Sequence, residues 1–234
     1  MKRIKRIIGI ISILIVLSPV VVIGKEYVNS KENIKLETPE TYYVIDESNI
    51  EENIAFIEYY GMFPEEIRNI FRGSDEVILG LRSDELVTMH IRISRDNESR
   101  RIWNLEKAGN KDLERFQDLI KGKLTTTESE VAYQEYIDNR YLKSIIEYED
   151  HYEIDYQTIL NGNYYEILFE SYDIEERDNT VEEIEEIFET FTITKVEGRP
   201  ITSPPDWVKV VLITVSVIGI IGVITEIIQY KRKK

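Results

Sequence analysis

The 234-residue chain contains no cysteine. Disulfide frameworks, thiol nucleophiles, thiolate metal ligation and lipid attachment through an N-terminal cysteine are therefore excluded. Histidine is almost as scarce, with only His90 and His151. Serine is plentiful, yet none lies in a G-x-S-x-G elbow and no Ser-x-x-Lys pair occurs. There is no glycine-rich loop of the kind that cradles phosphate. Positive charge is short too: 29 Lys and Arg stand against 44 Asp and Glu, a formal charge of -15. Such an acidic chain disfavours nucleic acid and anionic headgroups and suits cationic partners or a solvated exterior. These absences predict a protein that is not an enzyme and carries no cofactor.

The charge is unevenly spread. Residues 7–24 and 208–230 are apolar and helix-length. Lys2, Arg3, Lys5 and Arg6 precede the first, and Lys231, Arg232, Lys233 and Lys234 follow the second. Every acidic residue except Glu226 lies between them. The positive-inside bias places both basic ends in the cytoplasm and the acidic middle outside the cell membrane. Residues 1–24 fit either a retained signal anchor or a cleaved signal peptide ending before Lys25. Residues 207–230 fit a transmembrane helix, since Trp207 and Tyr230 bracket roughly 33 Å of apolar helix. Residues 231–234 are then a basic cytoplasmic tail. Abundant Ile, Lys, Glu, Asn and Tyr without Cys suggests a bacterial source.

Between the apolar segments, residues 25–36 read as a polar spacer. Residues 197–206, with Pro200, Pro204 and Pro205, read as a stiff linker. The folded part is residues 37–196, long enough for one extracytoplasmic α+β domain with its own core. Residues 41–45 predict a first strand. Ser48-x-x-Glu51 predicts a helix start, with Ile50, Ile54 and Ile57 on one face and Gly61 as the stop. Pro64 opens a second helix that buries Ile67, Ile70 and Phe71. Residues 76–82 and 86–94 alternate as strands, and residues 95–108 read as irregular. Asn110 starts a helix carrying Leu113, Phe116 and Ile120 inward. Thr127-x-x-Glu130 predicts a short helix containing Val131, Ala132 and Tyr136. Residues 142–149 form another strand. Residues 152–160 and 164–172 alternate around Asn161-Gly162-Asn163, a hairpin signature. Thr180-x-x-Glu183 predicts the cap of a last helix burying Val181, Ile184, Ile187, Phe188 and Phe191. Residues 192–196 add an edge strand.

Chemistry-bearing candidates are few. His151 stands among Glu147, Glu149, Asp150, Glu153 and Asp155. Histidine with carboxylates suits a divalent cation, so His151, Glu149, Asp150 and Glu153 are the candidate metal ligands, although no ligand spacing defines a site. The plainer reading is a solvated acidic surface. The acid-rich run 173–189 lacks the glycine and ligand spacing of a calcium loop. Tyr148, Tyr152, Tyr156, Tyr164, Tyr165 and Tyr172 crowd the hairpin. They read as cross-strand packing first and a binding face second.

Gly162-Asn163-Tyr164-Tyr165-Glu166-Ile167-Leu168-Phe169, an acidic loop, the amphipathic run 181–191 and the closing Thr192-Ile193-Thr194 together resemble the end of PsbP-like domains. That is the superfamily of the extrinsic photosystem subunit and its bacterial relatives. The earlier elements match in order only. The resemblance implies an α-β-α sandwich around an antiparallel sheet and a non-enzymatic scaffolding or assembly role; no site residues transfer with it. The resulting expectation is a membrane-anchored extracytoplasmic binding or assembly module whose partners are other membrane or surface proteins. The alternatives are a carboxylate-dependent surface hydrolase and a cation-responsive sensor.

Overall fold

The computed structural model describes residues 24–124, 130–138 and 140–198. Through Glu197 they belong to one compact unit. Both apolar segments, the linker from residue 199 onwards and the basic tail lie outside the described residues. Among the described residues no helix is long and apolar enough to cross a membrane.

The centre is a seven-stranded antiparallel sheet in the order β3-β4-β5-β9-β8-β7-β6. Its strands are β3 (Tyr42–Ile45), β4 (Glu76–Arg82), β5 (Val87–Ser94), β6 (Glu130–Ile137), β7 (Tyr141–Glu147), β8 (Tyr152–Leu160) and β9 (Asn163–Ser171). A smaller sheet joins β1 (Lys25–Asn29), β2 (Ile34–Thr38) and β10 (Thr192–Ile193). Among the described residues there are five α-helices: α1 (Ile54–Tyr59), α2 (Pro64–Gly73), α3 (Asn97–Ile102), α4 (Asn110–Leu124) and α5 (Arg177–Thr190). The chain is thus mixed α+β, with antiparallel sheets and helices, as expected.

Strand period sets the two faces of the large sheet. Ile78, Met89, Ile91, Ile154, Tyr156, Ile167 and Phe169 point to the first face and pack against Ile34 and Leu36 of β2 and Ile184 and Ile187 of α5. Ile167 is buried and Phe188 packs on this core, as the predicted helix-on-sheet arrangement requires. On the second face, Leu105, Phe116 and Ile120 cover Leu142 and Ile159 at one end. Ile45, Ile50, Ile57 and Ile67 form a third cluster where α1 and α2 meet β3 and β4. The middle of the second face keeps its polar residues.

The hairpin is the element that sequence reading placed best. Leu160 pairs with Asn163, and Asn161 and Gly162 between them have φ of 56° and 72°. Both turn residues at positive φ are what an Asn-Gly hairpin turn requires. Trp103 lies on this turn: a Cβ on Gly162 would meet its ring carbons at 2.6 Å.

Several expectations are corrected. Residues 25–36 are no spacer, because they carry β1 and most of β2, and Ile34 and Leu36 are buried. Their polar composition hides a two-residue alternation that buries one side only. Residues 130–137 are strand β6, not a helix; pairing along β7 overrides the helical spacing of Val131, Ala132 and Tyr136. Ser48 caps nothing: Asp46 accepts from the Ser48 and Asn49 amides, and a short 3-10 turn, Glu51–Asn53, precedes α1. α5 begins at Arg177, which leaves Thr180 inside it, buried and bonded to Asp173 at 3.2 Å. Residues 95–108 contain α3 and a second 3-10 turn, Leu105–Lys107.

Candidate functional site

Cross-strand register assembles a polar strip in the middle of the second face. One row runs Glu76, Arg92, Glu166, Gln157; the next runs His90, Leu168, Asp155, Ser144 and Gln134; a third holds Thr88, Glu170 and Glu153. A bulge between Glu76 and Ile78 turns Glu76 towards this face. Glu76 receives Arg92 Nε at 3.0 Å and lies 3.2 Å from His90 Nδ1. Arg92 Nη1 donates to Glu166 at 2.9 Å. One arginine thus bridges two carboxylates, while Glu153, Asp155 and Glu170 have no cationic partner on the strip.

Asp155 sits at its floor, 1% exposed. Its Oδ2 accepts from the Gln157 amide, and its Oδ1 has no hydrogen-bond partner; neither has Gln157 Oε1. Burial, then the charges of Glu166 and Glu153, push the Asp155 carboxyl well above the usual carboxylate range, against the opposing pull of Gln157 and Arg92. Burial raises Glu153 as well. The strip is closed over β7 and β8, where Ser144 and Gln157 are buried, and partly open over β5 and β9, where His90, Arg92, Glu166 and Leu168 are half-buried.

The four residues taken as candidate metal ligands are not gathered around one point. His151 stacks between Tyr148 (ring centroids 4.1 Å apart) and Tyr172 (5.0 Å), and its Nδ1 lies 2.7 Å from Asp150. Glu153 instead accepts from Tyr148 at 3.3 Å, and Glu149 is an exposed residue of the turn. Among the described residues no three His, Cys, Asp or Glu side chains converge closely enough to hold a metal ion. The acid-rich run 173–189 is largely α5, with Asp173 and Glu183 engaged by Arg82 at 2.7 and 3.5 Å.

The hairpin tyrosines divide. Tyr152, Tyr156 and Tyr165 are buried on the first face, with Tyr156 stacked on Phe188 at 3.7 Å. Tyr164 is half-buried on the second, beside Glu166 and under Lys123. A cleft of about 460 Å³ opens beside Tyr141, Arg140, Leu160, Phe188, Phe191 and Ile193.

One surface was missed. Tyr43 stacks on Phe56 at 3.8 Å, Phe56 meets Tyr60 at 4.6 Å, and Tyr60 meets Tyr59 at 5.0 Å. Tyr59 is 79% exposed and Phe63 65%. Tyr60 donates to the Ser83 carbonyl at 3.1 Å, and Gly61 at φ 71° turns the chain between α1 and α2. The ridge is therefore held by the fold although its tip is in solvent. Glu58, Glu65 and Glu66 flank it, all exposed. The run Tyr59-Tyr60-Gly61-Met62-Phe63-Pro64 was the available signal, because turns seldom hold four large apolar residues.

No family model matches the chain, and no curated protein matches it. Among solved structures it is similar to cyanobacterial PsbP (CyanoP) from Synechocystis sp. PCC 6803, with a TM-score of 0.43 and 9% identity over 75% of this chain and 98% of that one. It is also similar to a protein of Bacteroides thetaiotaomicron VPI-5482, with a TM-score of 0.38 and 12% identity over 75% of this chain. The chain spans 49% of that second protein.

Proposed function

We propose that this chain is a membrane-anchored, extracytoplasmic binding or assembly module that acts through protein contacts. The aromatic ridge Tyr43-Phe56-Tyr60-Tyr59, exposed at Tyr43 and Tyr59, together with the exposed Phe63 of the following turn, carries the reading. Clustered exposed aromatics held rigid by a fold are the side chains that dominate protein interfaces, because they bury much apolar area at little entropic cost. The flanking glutamates select a partner with an apolar recess rimmed by Lys or Arg. In this reading residues 1–24 and 207–230 hold the domain at the outer face of the cell membrane, and the C-terminus is cytoplasmic.

The test is site-specific photocrosslinking in intact cells, with the reactive residue at position 59, at position 63, or at the distant position 114. Positions 59 and 63 should trap the same partner reproducibly, and position 114 should not. The reading fails if neither traps a partner while the purified chain cleaves cell-wall glycans and loses that activity on Glu→Gln changes along the strip. Those results would establish the hydrolase alternative.

A further inference from the structure

We propose that the inner end of the polar strip, at Asp155 and Gln157, is a binding site for a primary alkylammonium group. The site is separate from the aromatic ridge and does not depend on it. Two buried acceptors, Asp155 Oδ1 and Gln157 Oε1, are left without donors on one sheet face. Leaving a buried acceptor unmet is costly, so a ligand that supplies N–H groups there recovers a sizeable interaction. The charge around them is mainly negative. Glu153 on β8, Glu166 and Glu170 on β9 and Glu76 on β4 face the strip, against Arg92 and His90 on β5. Arg92 is committed to Glu76 and Glu166. From the helical side Lys123 lies over the Tyr164 ring, and Asp96 bears on the Tyr164 hydroxyl.

The unmet acceptors and the surrounding charge select the ligand. Absence of three converging ligands among the described residues argues against a divalent metal. Both acceptor atoms are shielded from solvent, so a ligand reaches them by displacing side chains on the half-buried β5–β9 side, beside Leu168. A slender chain ending in –NH3+ needs the least displacement, and its three N–H donors match Asp155 Oδ1, Gln157 Oε1 and the diagonal Glu166 carboxylate. A guanidinium is broader and would contest the place of Arg92. The ammonium has two sources, a free amine or a protein lysine.

Calorimetric titration of the full chain in detergent at constant ionic strength tests this. The probes are n-butylamine, the capped tripeptide Gly-Lys-Gly, and tetramethylammonium, which carries charge but no N–H. Saturable binding of butylamine or the tripeptide is expected, with tetramethylammonium at least tenfold weaker. Tighter binding of the tripeptide identifies a lysine source, and tighter binding of butylamine a free amine. The bound ammonium draws the Asp155 carboxyl into its ionised form, so Asp155→Asn, which cannot ionise, should weaken binding at least tenfold, and Glu40→Gln should leave it unchanged. Should Asp155→Asn fail to fold, Glu166→Gln, at a half-buried position, should weaken binding about threefold by removing one charge-assisted bond. No saturable binding by either amine, equal binding of tetramethylammonium, or full affinity in the folded variant would overturn the proposal.

Discussion

Asp155 shows how one residue couples position to pH. Its folded carboxyl keeps a proton that the unfolded chain releases, because burial and the Glu166 and Glu153 charges oppose ionisation. In the window between the ordinary carboxylate value and its raised folded value, the unfolded state binds fewer protons. Stability then falls as pH rises. Asp155→Asn mimics the protonated form and removes this slope. In urea unfolding followed upwards from pH 4.5, the variant should gain on the wild type as pH rises through that window; a constant gap would contradict the assignment. Gly162 is a second informative position. Alanine there strains φ at 72° and drives a methyl into the Trp103 ring. Gly162→Ala should cost about 2–4 kcal/mol, and Gly109→Ala, with nothing within 4 Å of its Cβ, should serve as a near-neutral control.

Among the elements, β1 and β2 give the sharpest test of the corrected boundary. If residues 25–36 were a spacer, Ile34→Ala would do nothing. Ile34 is instead fully buried between the sheets and α5, so the change should cost about 2–5 kcal/mol in chemical denaturation. The link between β4 and α5 is a polar counterpart. Arg82, 8% exposed, donates to Asp84 at 2.9 Å and Asp173 at 2.7 Å, and Tyr42 donates to Glu183 at 2.8 Å. Removing the arginine leaves carboxylates facing one another without a cation. Arg82→Ala should therefore lose about 3 kcal/mol, and part of that loss should return when Asp173→Asn is added. Additive losses would mean that the pair is not coupled.

At the scale of the whole molecule, the proposed topology predicts a protease pattern. In intact protoplasts expressing the chain, added protease should remove residues 25–207 and spare a C-terminal tag. Loss of the tag would place the C-terminus outside and undo the charge-bias argument. A mature N-terminus beginning at Lys25 would identify a cleaved signal peptide.

Elements whose own periodicity carries their burial were legible from the sequence. The 152–171 hairpin, the β4–β5 pair and the apolar face of α5 each bury what local alternation or helical spacing marks, whereas the helix opened by Pro64 buries Ile67 but leaves Phe71 half-buried and Ile70 40% exposed. What was illegible depends on partners distant in the chain. β2 becomes a strand because β1 and β10 pair with it from both sides, and β10 arrives from more than 150 residues away. β6 becomes a strand because β7 offers it a ladder. The candidate sites follow the same division. The sequence marks His151 as conspicuous through its acidic neighbours, yet the fold spends that ring on a tyrosine stack. Asp155 looks like one acid among many until register places it beside Gln157, across from Leu168 and diagonal to Glu166 on a single face. Local pattern alone determines charge and the hairpin; long-range strand pairing decides which polar groups are buried together, and buried groups are the ones whose chemistry changes.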